Sequence, residues 1–223
     1  MIQQLTLGIS LRDDATFDNF FSGHNEQIIY SLKNQEEAYV FLFGSAGTGK
    51  SHILQAACHL LGQKGLPVAY LPFSEKGLMP AMLDGLENMS LIALDDIQYV
   101  AGNDEWERAL FNLYNRAREK GANILVSSGE PLNSLNIKLP DLKSRLSWGP
   151  IFQLDSLNDS EKQKALQQRA KLRGLELDDE VVTYLLKRSP RDMNSLFQIF
   201  EKLDQASMVE KRKLTIPFIK KYL

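Results

Sequence analysis

Cysteine is almost missing from this sequence of 223 residues, which contains only Cys58. A single cysteine cannot form a disulfide within the chain, so packing and hydrogen bonds are expected to hold the fold together. Long hydrophobic runs are missing too, because no apolar stretch approaches the ~20 residues that cross a bilayer. Both absences predict a protein of a reducing compartment, the cytoplasm, with no membrane span.

A charge excess of either sign is also lacking. The 26 lysine and arginine residues nearly balance the 28 aspartate and glutamate residues, which gives a formal net charge of −2. This balance excludes an overall positive field that would draw the whole protein to nucleic acid or anionic lipid, although it allows a local basic patch. Hydrophobic residues make up 43% of the chain, enough for the core of one large domain or two small ones.

The first nine residues, MIQQLTLGI, have no basic segment and no long apolar core, so they do not predict a signal peptide. Alternating apolar residues follow Gln4 instead: Leu5, Leu7 and Ile9. Alternation at period two suits either an edge strand of the domain or an extended docking peptide. The polar stretch behind it favours the second interpretation, a flexible tail over residues 1–14.

Short runs rich in β-branched and aromatic residues recur along the first two thirds of the chain and look like buried parallel strands. The five runs are residues 38–43, 67–71, 90–94, 122–126 and 150–154. Amphipathic stretches such as 51–61 and 104–119 lie between them, which is the alternation found in three-layer α/β domains. We therefore predict an α/β domain over residues 15–155 with a five-stranded parallel sheet.

Behind residue 155 the pattern changes to helices alone, and we predict a small all-helical lid domain over residues 156–223. Asn158 or Ser160 can cap its first helix, and Gly174 ends that helix. Pro190 suits the first turn of a later helix. The predicted helices cover about 159–173, start again near Asp178 and Asp179, run from 190 to about 208, and begin once more at Thr215.

Residues 44–51 read GSAGTGKS and fit the phosphate-binding pattern G-x-x-x-x-G-K-[ST] at every position, between a predicted strand and a predicted helix. Glycines let backbone N–H groups turn toward phosphate oxygens, Lys50 neutralises the β and γ phosphates, and Ser51 binds Mg²⁺. The alternative is a glycine-rich turn with a solvated lysine. The predicted nucleotide-binding residues here are Gly44, Ser45, Ala46, Gly47, Thr48, Gly49, Lys50, Ser51 and His52.

Two acids, Asp95 and Asp96, follow the four apolar residues 91–94 of the third predicted strand. Open α/β sheets bind ligands at the carboxyl ends of their strands. We predict that Asp95 holds Mg²⁺ through water and that Asp96 orients an attacking water. On their own, two aspartates behind a strand would equally suit a turn. The predicted cofactors are ADP or ATP, with Mg²⁺.

Four separate stretches carry a family resemblance: TFDNF at 16–20, LFGSAGTGKSHILQA at 42–56, DDIQYVAG at 95–102 and KSRLSWG at 143–149. Together they resemble the AAA+ ATPase core of the DnaA family of bacterial replication initiators, over about residues 15–208. DnaA itself continues past its helical lid into a DNA-binding domain. Because this sequence stops at Leu223, the resemblance implies the shorter, Hda-type branch, which lacks that domain.

The resemblance assigns roles to residues that the sequence alone leaves ambiguous. Arg145 would be an arginine finger that reaches the γ-phosphate held by a neighbouring subunit, although taken alone it is an ordinary arginine near a helix end. Arg191 would be the second sensor, which reaches from the lid to the chain's own nucleotide. Ser128 is the candidate for the first sensor, because Gly129 stands where DnaA has an aspartate.

In Hda-type proteins a glutamine-leucine peptide docks on the DNA polymerase sliding clamp. The clamp-binding residues that the resemblance implies here are Gln4, Leu5, Leu7 and Ile9. One departure is Gly8, where the family more often has proline. Glycine leaves the free peptide less ordered, which raises the entropic cost of docking.

The resemblance implies a regulator that binds adenine nucleotide, docks on the DNA-loaded clamp and stimulates hydrolysis of DnaA-bound ATP, which prevents re-initiation. Its partners would be DnaA, the clamp and, through the clamp, DNA, and a homodimer is compatible with this role. Intrinsic hydrolysis is expected to be weak, because Asp96 is one methylene shorter than the glutamate common in AAA+ proteins. The alternatives are a helicase loader that binds single-stranded DNA through basic residues at 211–213 and 220–221 and, less favoured, a small-molecule kinase.

Overall fold

A five-stranded parallel sheet forms the centre of the computed structural model, which describes residues 11–12, 14–190 and 192–222. The strands are β1 (Tyr39–Phe43), β2 (Val68–Pro72), β3 (Leu91–Asp95), β4 (Asn123–Ser128) and β5 (Ile151–Gln153). They lie in the order β2-β3-β4-β1-β5, and each neighbouring pair is parallel. The sheet confirms the predicted fold class, and each strand lies within two residues of its predicted run.

Helices cover both faces of this sheet and then continue alone toward the end of the chain. They are α1 (Glu26–Asn34), α2 (Lys50–Gly62), α3 (Asp104–Lys120), α4 (Pro140–Leu146), α5 (Asp159–Leu172), α6 (Asp179–Arg188), α7 (Met193–Glu210) and α8 (Ile216–Ile219). Within the described ranges, no helix is long and apolar enough to cross a membrane.

Alternation along the strands divides the apolar side chains between two cores, one on each face of the sheet. On β1, Phe41 packs into the core that contains residues of α3 and α4. Its neighbours Val40 and Leu42 pack into the core that contains residues of α1 and α2. β3 divides its apolar residues in the same way, so the sheet is the middle of three layers.

The last four helices, called the lid below, have an apolar core of their own. It contains Leu166 of α5, Val182 of α6, Phe200 of α7 and Phe218 of α8. α5 begins with a capping box at Asn158, one of the two residues predicted to cap it.

α7 begins three residues later than predicted, at Met193. Asp192 is its N-cap, and the Asp192 carboxylate accepts a hydrogen bond from the backbone N–H of Ser195 at 2.8 Å. This bond is the main cause that lowers the pKa of the Asp192 carboxyl. Aspartate is a strong capping residue because its oxygen reaches the free N–H groups of the first turn, so the cap rather than Pro190 sets the start of the helix.

A cluster of ion pairs joins the segment ahead of α1 to the lid. Arg169 of α5 is 7% exposed and pairs with Asp14 and, at 3.3 Å, with Glu201 of α7. Asp14 also pairs with Arg12 at 3.2 Å. Burial would raise the pKa of the Asp14 carboxyl, but the hydrogen bonds from Arg169 and Arg12 outweigh it and lower that pKa. The segment is therefore attached to the lid by charge.

Gly149→Ala is expected to destabilise the protein strongly. A Cβ at Gly149, in the turn between α4 and β5, would stand 1.6 Å from the carbonyl oxygen of Tyr39. This oxygen belongs to the backbone of β1 and cannot rotate away, so the strand or the turn has to shift. We expect a loss of at least about 2 kcal/mol, which would lower the melting temperature by roughly 4–8 °C.

Gly62→Ala is the matched control. Gly62 is exposed at the end of α2, and a Cβ there would meet nothing within 4 Å. Alanine favours the helix over glycine by up to about 1 kcal/mol, so the melting temperature should hold or rise. A Gly149→Ala protein that melts together with the parent would contradict the close approach of this turn to β1.

Candidate functional site

The loop between β1 and α2 contains the glycine-rich motif. Gly47 and Gly49 have left-handed backbone conformations, with φ of +81° and +94°. A Cβ at Gly49 would also stand 2.5 Å from Cε2 of Phe20. Gly49 therefore meets two demands, the positive φ and the close aromatic ring, that only glycine meets without strain. α2 begins directly behind it, which turns the free N–H groups of a helix N-terminus toward the loop.

Lys50 lies inside this loop rather than in solvent. Its side chain is 7% exposed, and Nζ donates to the carbonyl oxygens of Gly44 at 2.8 Å and Ser45 at 3.0 Å. Burial lowers the pKa of the ammonium group, while the nearby charges of Asp96 and Asp95 oppose that shift. The loop thus holds a cation in its concave side, close to the two acids.

A cavity of about 700 Å³ opens beside the loop, a size typical of ligand pockets. Its walls come from the loop and the start of α2, from the strand ends, and from lid residues that include Met193 and Phe197. Of the predicted site residues, the lining includes Ala46, Gly47, Thr48, Gly49, Lys50, Ser51, His52 and Asp96. The described lining does not include Gly44, Ser45, Asp95, Ser128 and Arg145.

The two acids behind β3 have different surroundings. Asp96 faces the cavity, has a left-handed backbone with φ of +59°, and accepts a hydrogen bond from Nε2 of Gln98 at 3.0 Å. Asp95 is only 2% exposed. Its two carboxylate oxygens accept hydrogen bonds from the hydroxyl of Tyr70, at 2.7 Å, and from the hydroxyl of Ser127. Asp96 is therefore the acid that a ligand in the cavity would meet first.

Gln98 is a polar residue of the cavity that the sequence analysis missed. It donates to Asp96, and its Oε1 accepts from the backbone N–H of Gly129 at 3.0 Å, so it bridges the ends of β3 and β4. Ser128, the predicted first sensor, is fully buried, and its Oγ accepts from the N–H of Glu130 at 3.1 Å. The structure does not bring Ser128 to the cavity. The available signal for Gln98 was its position two residues behind Asp96.

The N-terminus of α7 lies against the loop. A Cβ at Gly47 would stand 3.4 Å from the backbone nitrogen of Met193, the first residue of this 18-residue helix. The partial positive charge of a helix N-terminus favours a negatively charged ligand at this point. Arg191, the predicted second sensor, lies outside the described residues.

His52 joins the loop to the N-terminal signature at residues 16–20. Its Nε2 donates to the carbonyl oxygen of Thr16 at 2.8 Å, and its ring centroid lies 5.3 Å from that of Phe20. Burial lowers the pKa of the imidazole, and the hydrogen bond to Thr16 opposes part of that shift. A neutral His52 therefore holds the segment that covers the start of α2.

Arg145 lies in the last turn of α4, where a cation is favoured by the helix dipole. Its Nε donates to Oδ1 of Asn115 at 3.1 Å. The guanidinium carbon lies 4.4 Å from the ring centroid of Trp148 and 5.2 Å from that of Phe111. Stacking and one hydrogen bond thus fix the plane of the guanidinium group.

Clustered metal ligands do not occur in the part of the chain that the structure describes, where no group of three or more His, Cys, Asp and Glu side chains is placed to hold an ion. A metal at this site would need additional oxygen ligands from a bound phosphate or from water. The oxygens next to the loop belong to Ser51 and to the two acids. Such a set suits a hard cation that keeps part of its water shell.

Two family models match consecutive parts of the sequence. The model described as bacterial DnaA ATPase domain matches residues 11–153, well over half of the chain. The model described as Hda, lid domain, matches residues 159–223. The first match thus covers the α/β part of the chain and the second covers the lid.

Solved structures have the same fold. Domain III of the replication initiation protein DnaA from Thermotoga maritima has a TM-score of 0.80 at 19% identity and covers 96% of this chain and 98% of its own. AMPPCP-bound DnaA from Aquifex aeolicus has a TM-score of 0.73 at 25% identity and covers 91% and 68%. The RuvB Holliday junction branch migration motor of Thermotoga maritima has a TM-score of 0.64 at 20% identity and covers 91% and 67%.

His52→Gln is expected to reduce the loss of stability in acid. Because the pKa of His52 is lowered in the folded protein, the unfolded chain binds this proton first, so the contribution is intact above about pH 6.5 and is lost as the pH falls below it. Glutamine can donate to Thr16 but does not titrate. Between pH 7.5 and 5.5 the parent should lose up to about 1 kcal/mol more than the variant in urea unfolding.

The value at pH 7.5 serves as the internal control, because both side chains are neutral there. Each protein's loss is measured from its own free energy of unfolding at that pH, so that a difference in packing between histidine and glutamine cancels. An equal acid loss in both proteins would contradict the buried environment of His52.

Proposed function

Because the chain belongs to the family of bacterial DnaA ATPase domains and has an Hda-type lid behind that domain, we propose that it regulates replication initiation by acting on DnaA. In this proposal it binds an adenine nucleotide, docks on the DNA-loaded sliding clamp and stimulates hydrolysis of ATP held by DnaA. The observation that carries the proposal is the fixed guanidinium of Arg145, outside the described lining of the chain's own cavity.

Nucleotide binding is supported by the glycine loop and by Lys50. The ammonium group now donates to two neutral carbonyl oxygens of the loop. Exchange of these for phosphate oxygens would pair the ammonium group with anionic acceptors, so that both partners of each hydrogen bond carry a charge. The N-terminus of α7 would add to the field on the phosphates, and Arg191 is proposed to do the same as the second sensor. ADP and ATP both suit the cavity of about 700 Å³.

Mg²⁺ fits the oxygen donors beside the loop. Ser51 lines the cavity, and Asp95 lies behind the cavity wall, where it can act through a water molecule. The ion would neutralise phosphate charge. Asp96 is proposed to orient water. One of its carboxylate oxygens already accepts a hydrogen bond from Gln98, and the aspartate side chain is short. We therefore expect the chain to bind its own nucleotide but to hydrolyse it slowly.

The action on DnaA would come from Arg145. Asn115 accepts a hydrogen bond from Nε of Arg145. Within the described ranges, the other four N–H groups of the guanidinium donate to no protein acceptor. A planar cation that is already held in place loses little entropy when it meets a transferring phosphoryl group. In other NTPases an arginine finger is worth about 10³ to 10⁵ in rate.

The tail provides the proposed attachment to the clamp. Its residues Gln4, Leu5, Leu7 and Ile9 lie outside the described residues. The next segment is fixed, because Arg12 N–H donates to Gln55 at 2.9 Å and Arg12 O accepts from His59 at 2.9 Å. A peptide tethered at such a point can hold the body of the protein beside DnaA on the clamp, which raises its effective concentration there.

Arg145→Ala is expected to abolish the stimulation of DnaA-bound ATP hydrolysis while folding, nucleotide binding and clamp docking are kept. The finger acts on a ligand of another molecule, so the chain's own site should be unaffected. The measurement is release of labelled γ-phosphate from DnaA-ATP with DNA-loaded clamp, with each component omitted in turn. Stimulation that survives within a few fold would rule out the role in trans.

Two lysine variants make this experiment specific. Lys143→Ala removes a cation from the same helix, two residues away, and should leave stimulation near the parent level. Lys50→Ala should lose binding of the chain's own nucleotide, which Arg145→Ala keeps, because it removes the cation that faces the phosphates. Direct binding of single-stranded DNA without clamp would instead favour the helicase-loader alternative.

Removal of residues 1–9, or Gln4→Ala, is expected to abolish clamp binding and leave nucleotide affinity and melting temperature nearly unchanged. A short extended peptide makes few contacts, so micromolar affinity, about −8 kcal/mol, is expected for the isolated peptide. Gly8→Pro is the informative partner variant, because a stiffer peptide should bind the clamp more tightly. If residues 1–9 were instead an edge strand of the domain, their removal would lower the melting temperature by several degrees and the parent would not bind the clamp. That result would contradict the proposal.

A further inference from the structure

Two hydroxyl groups share the buried carboxylate of Asp95. One belongs to Tyr70 of β2, whose oxygen lies 2.7 Å from Oδ2, and the other to Ser127 of β4, which donates to Oδ1. The register pairs Pro72 of β2 with Asp95, so Tyr70 lies two residues earlier on the adjacent strand. Because residues two apart share one face of a strand, Tyr70 reaches Asp95 from the α2 side of the sheet.

The direction of the Tyr70 bond is fixed by a backbone group. Arg12 N–H can only donate, and it donates to Oε1 of Gln55 at 2.9 Å. The amide nitrogen of Gln55 therefore faces Tyr70, at 3.1 Å, and it too can only donate. The tyrosine oxygen accepts that bond, so its single proton points to Asp95.

The second hydroxyl is fixed in the same way. The backbone N–H of Asp96 donates to Oγ of Ser127 at 2.9 Å, which leaves the Ser127 proton for Asp95. Both oxygens of Asp95 thus accept one directed bond and keep a further lone pair. A carboxylate held from both sides cannot rotate freely about its own axis.

We propose that Tyr70, oriented by Gln55, is a positioning residue that holds Asp95 as the outer ligand of nucleotide-bound Mg²⁺. The inference depends on the proposed binding of nucleotide and Mg²⁺ at this site. Mg²⁺ requires near-ideal geometry and gives up its water reluctantly, so a ligand that acts through water has to be kept in one orientation. Partners of that kind, when removed, typically cost about 10- to 100-fold in metal affinity.

The test is a Mg²⁺ titration of the complex between the full chain and a fluorescent ADP, with EDTA as the metal-free reference. Tyr70→Phe keeps the ring and removes the hydroxyl. ADP affinity in EDTA should stay within about twofold of the parent, whereas the Mg²⁺ concentration for half-maximal tightening should rise about tenfold. Gln55→Met should shift it in the same direction, because it removes the donor that orients Tyr70.

Tyr114→Phe is the matched control. Tyr114 is 2% exposed, and its hydroxyl makes no hydrogen bond in the described part of the chain, so its Mg²⁺ titration should follow the parent. An unchanged titration for Tyr70→Phe overturns the inference, and so does an equal loss of affinity with and without Mg²⁺, which indicates packing alone. A parent that binds no ADP would defeat the proposed nucleotide site itself, which the EDTA reference detects separately.

Discussion

A buried carboxylate at the end of a central strand is the constraint on which the site depends. Asp95 is 2% exposed, and a charge so far from water has to be met by hydrogen bonds or it destabilises the fold. Its donors come from elements remote in sequence, Tyr70 on β2 and Ser127 on β4. The hydrogen bonds to Asp95 therefore join the ends of three adjacent strands. The bond from Gln55 to Tyr70 connects them to α2, the helix that begins at the phosphate loop.

This frame separates the two features that the proposed function needs. α2 and the loop belong with the core on one face of the sheet, whereas α4, which contains Arg145, packs with α3 on the other. Arg145 stacks on Trp148 and lies outside the described lining of its own cavity. A guanidinium held there suits a phosphate presented by another molecule. The chain's own nucleotide would then contact the loop, the strand ends and the lid, and so hold these parts together.

The strands and the phosphate loop could be predicted from local sequence patterns, whereas the hydrogen bonds around Asp95 depend on long-range contacts and could not. The strands and the phosphate loop depend on residues adjacent in sequence, so their patterns can be seen without a structure. Tyr70 looks like one more apolar strand residue until β2 pairs with β3 and brings its hydroxyl to Asp95. Ser127 and Ser128 are alike in sequence, but strand alternation sends one to Asp95 and the other to Glu130 N–H. Only the register decides which is which.

The segment behind the tail shares its supports with the cavity. His52, Gln55 and His59 lie on one face of α2 and bind the backbone of residues 12–16. Asp14 in the same segment meets Arg169, a lid residue that also lines the cavity. The segment directly behind the tail therefore contacts two walls of the proposed nucleotide site, α2 and the lid. Coupling between two binding sites is reciprocal, so any effect of docking on nucleotide affinity has to be matched by an equal effect of nucleotide on docking.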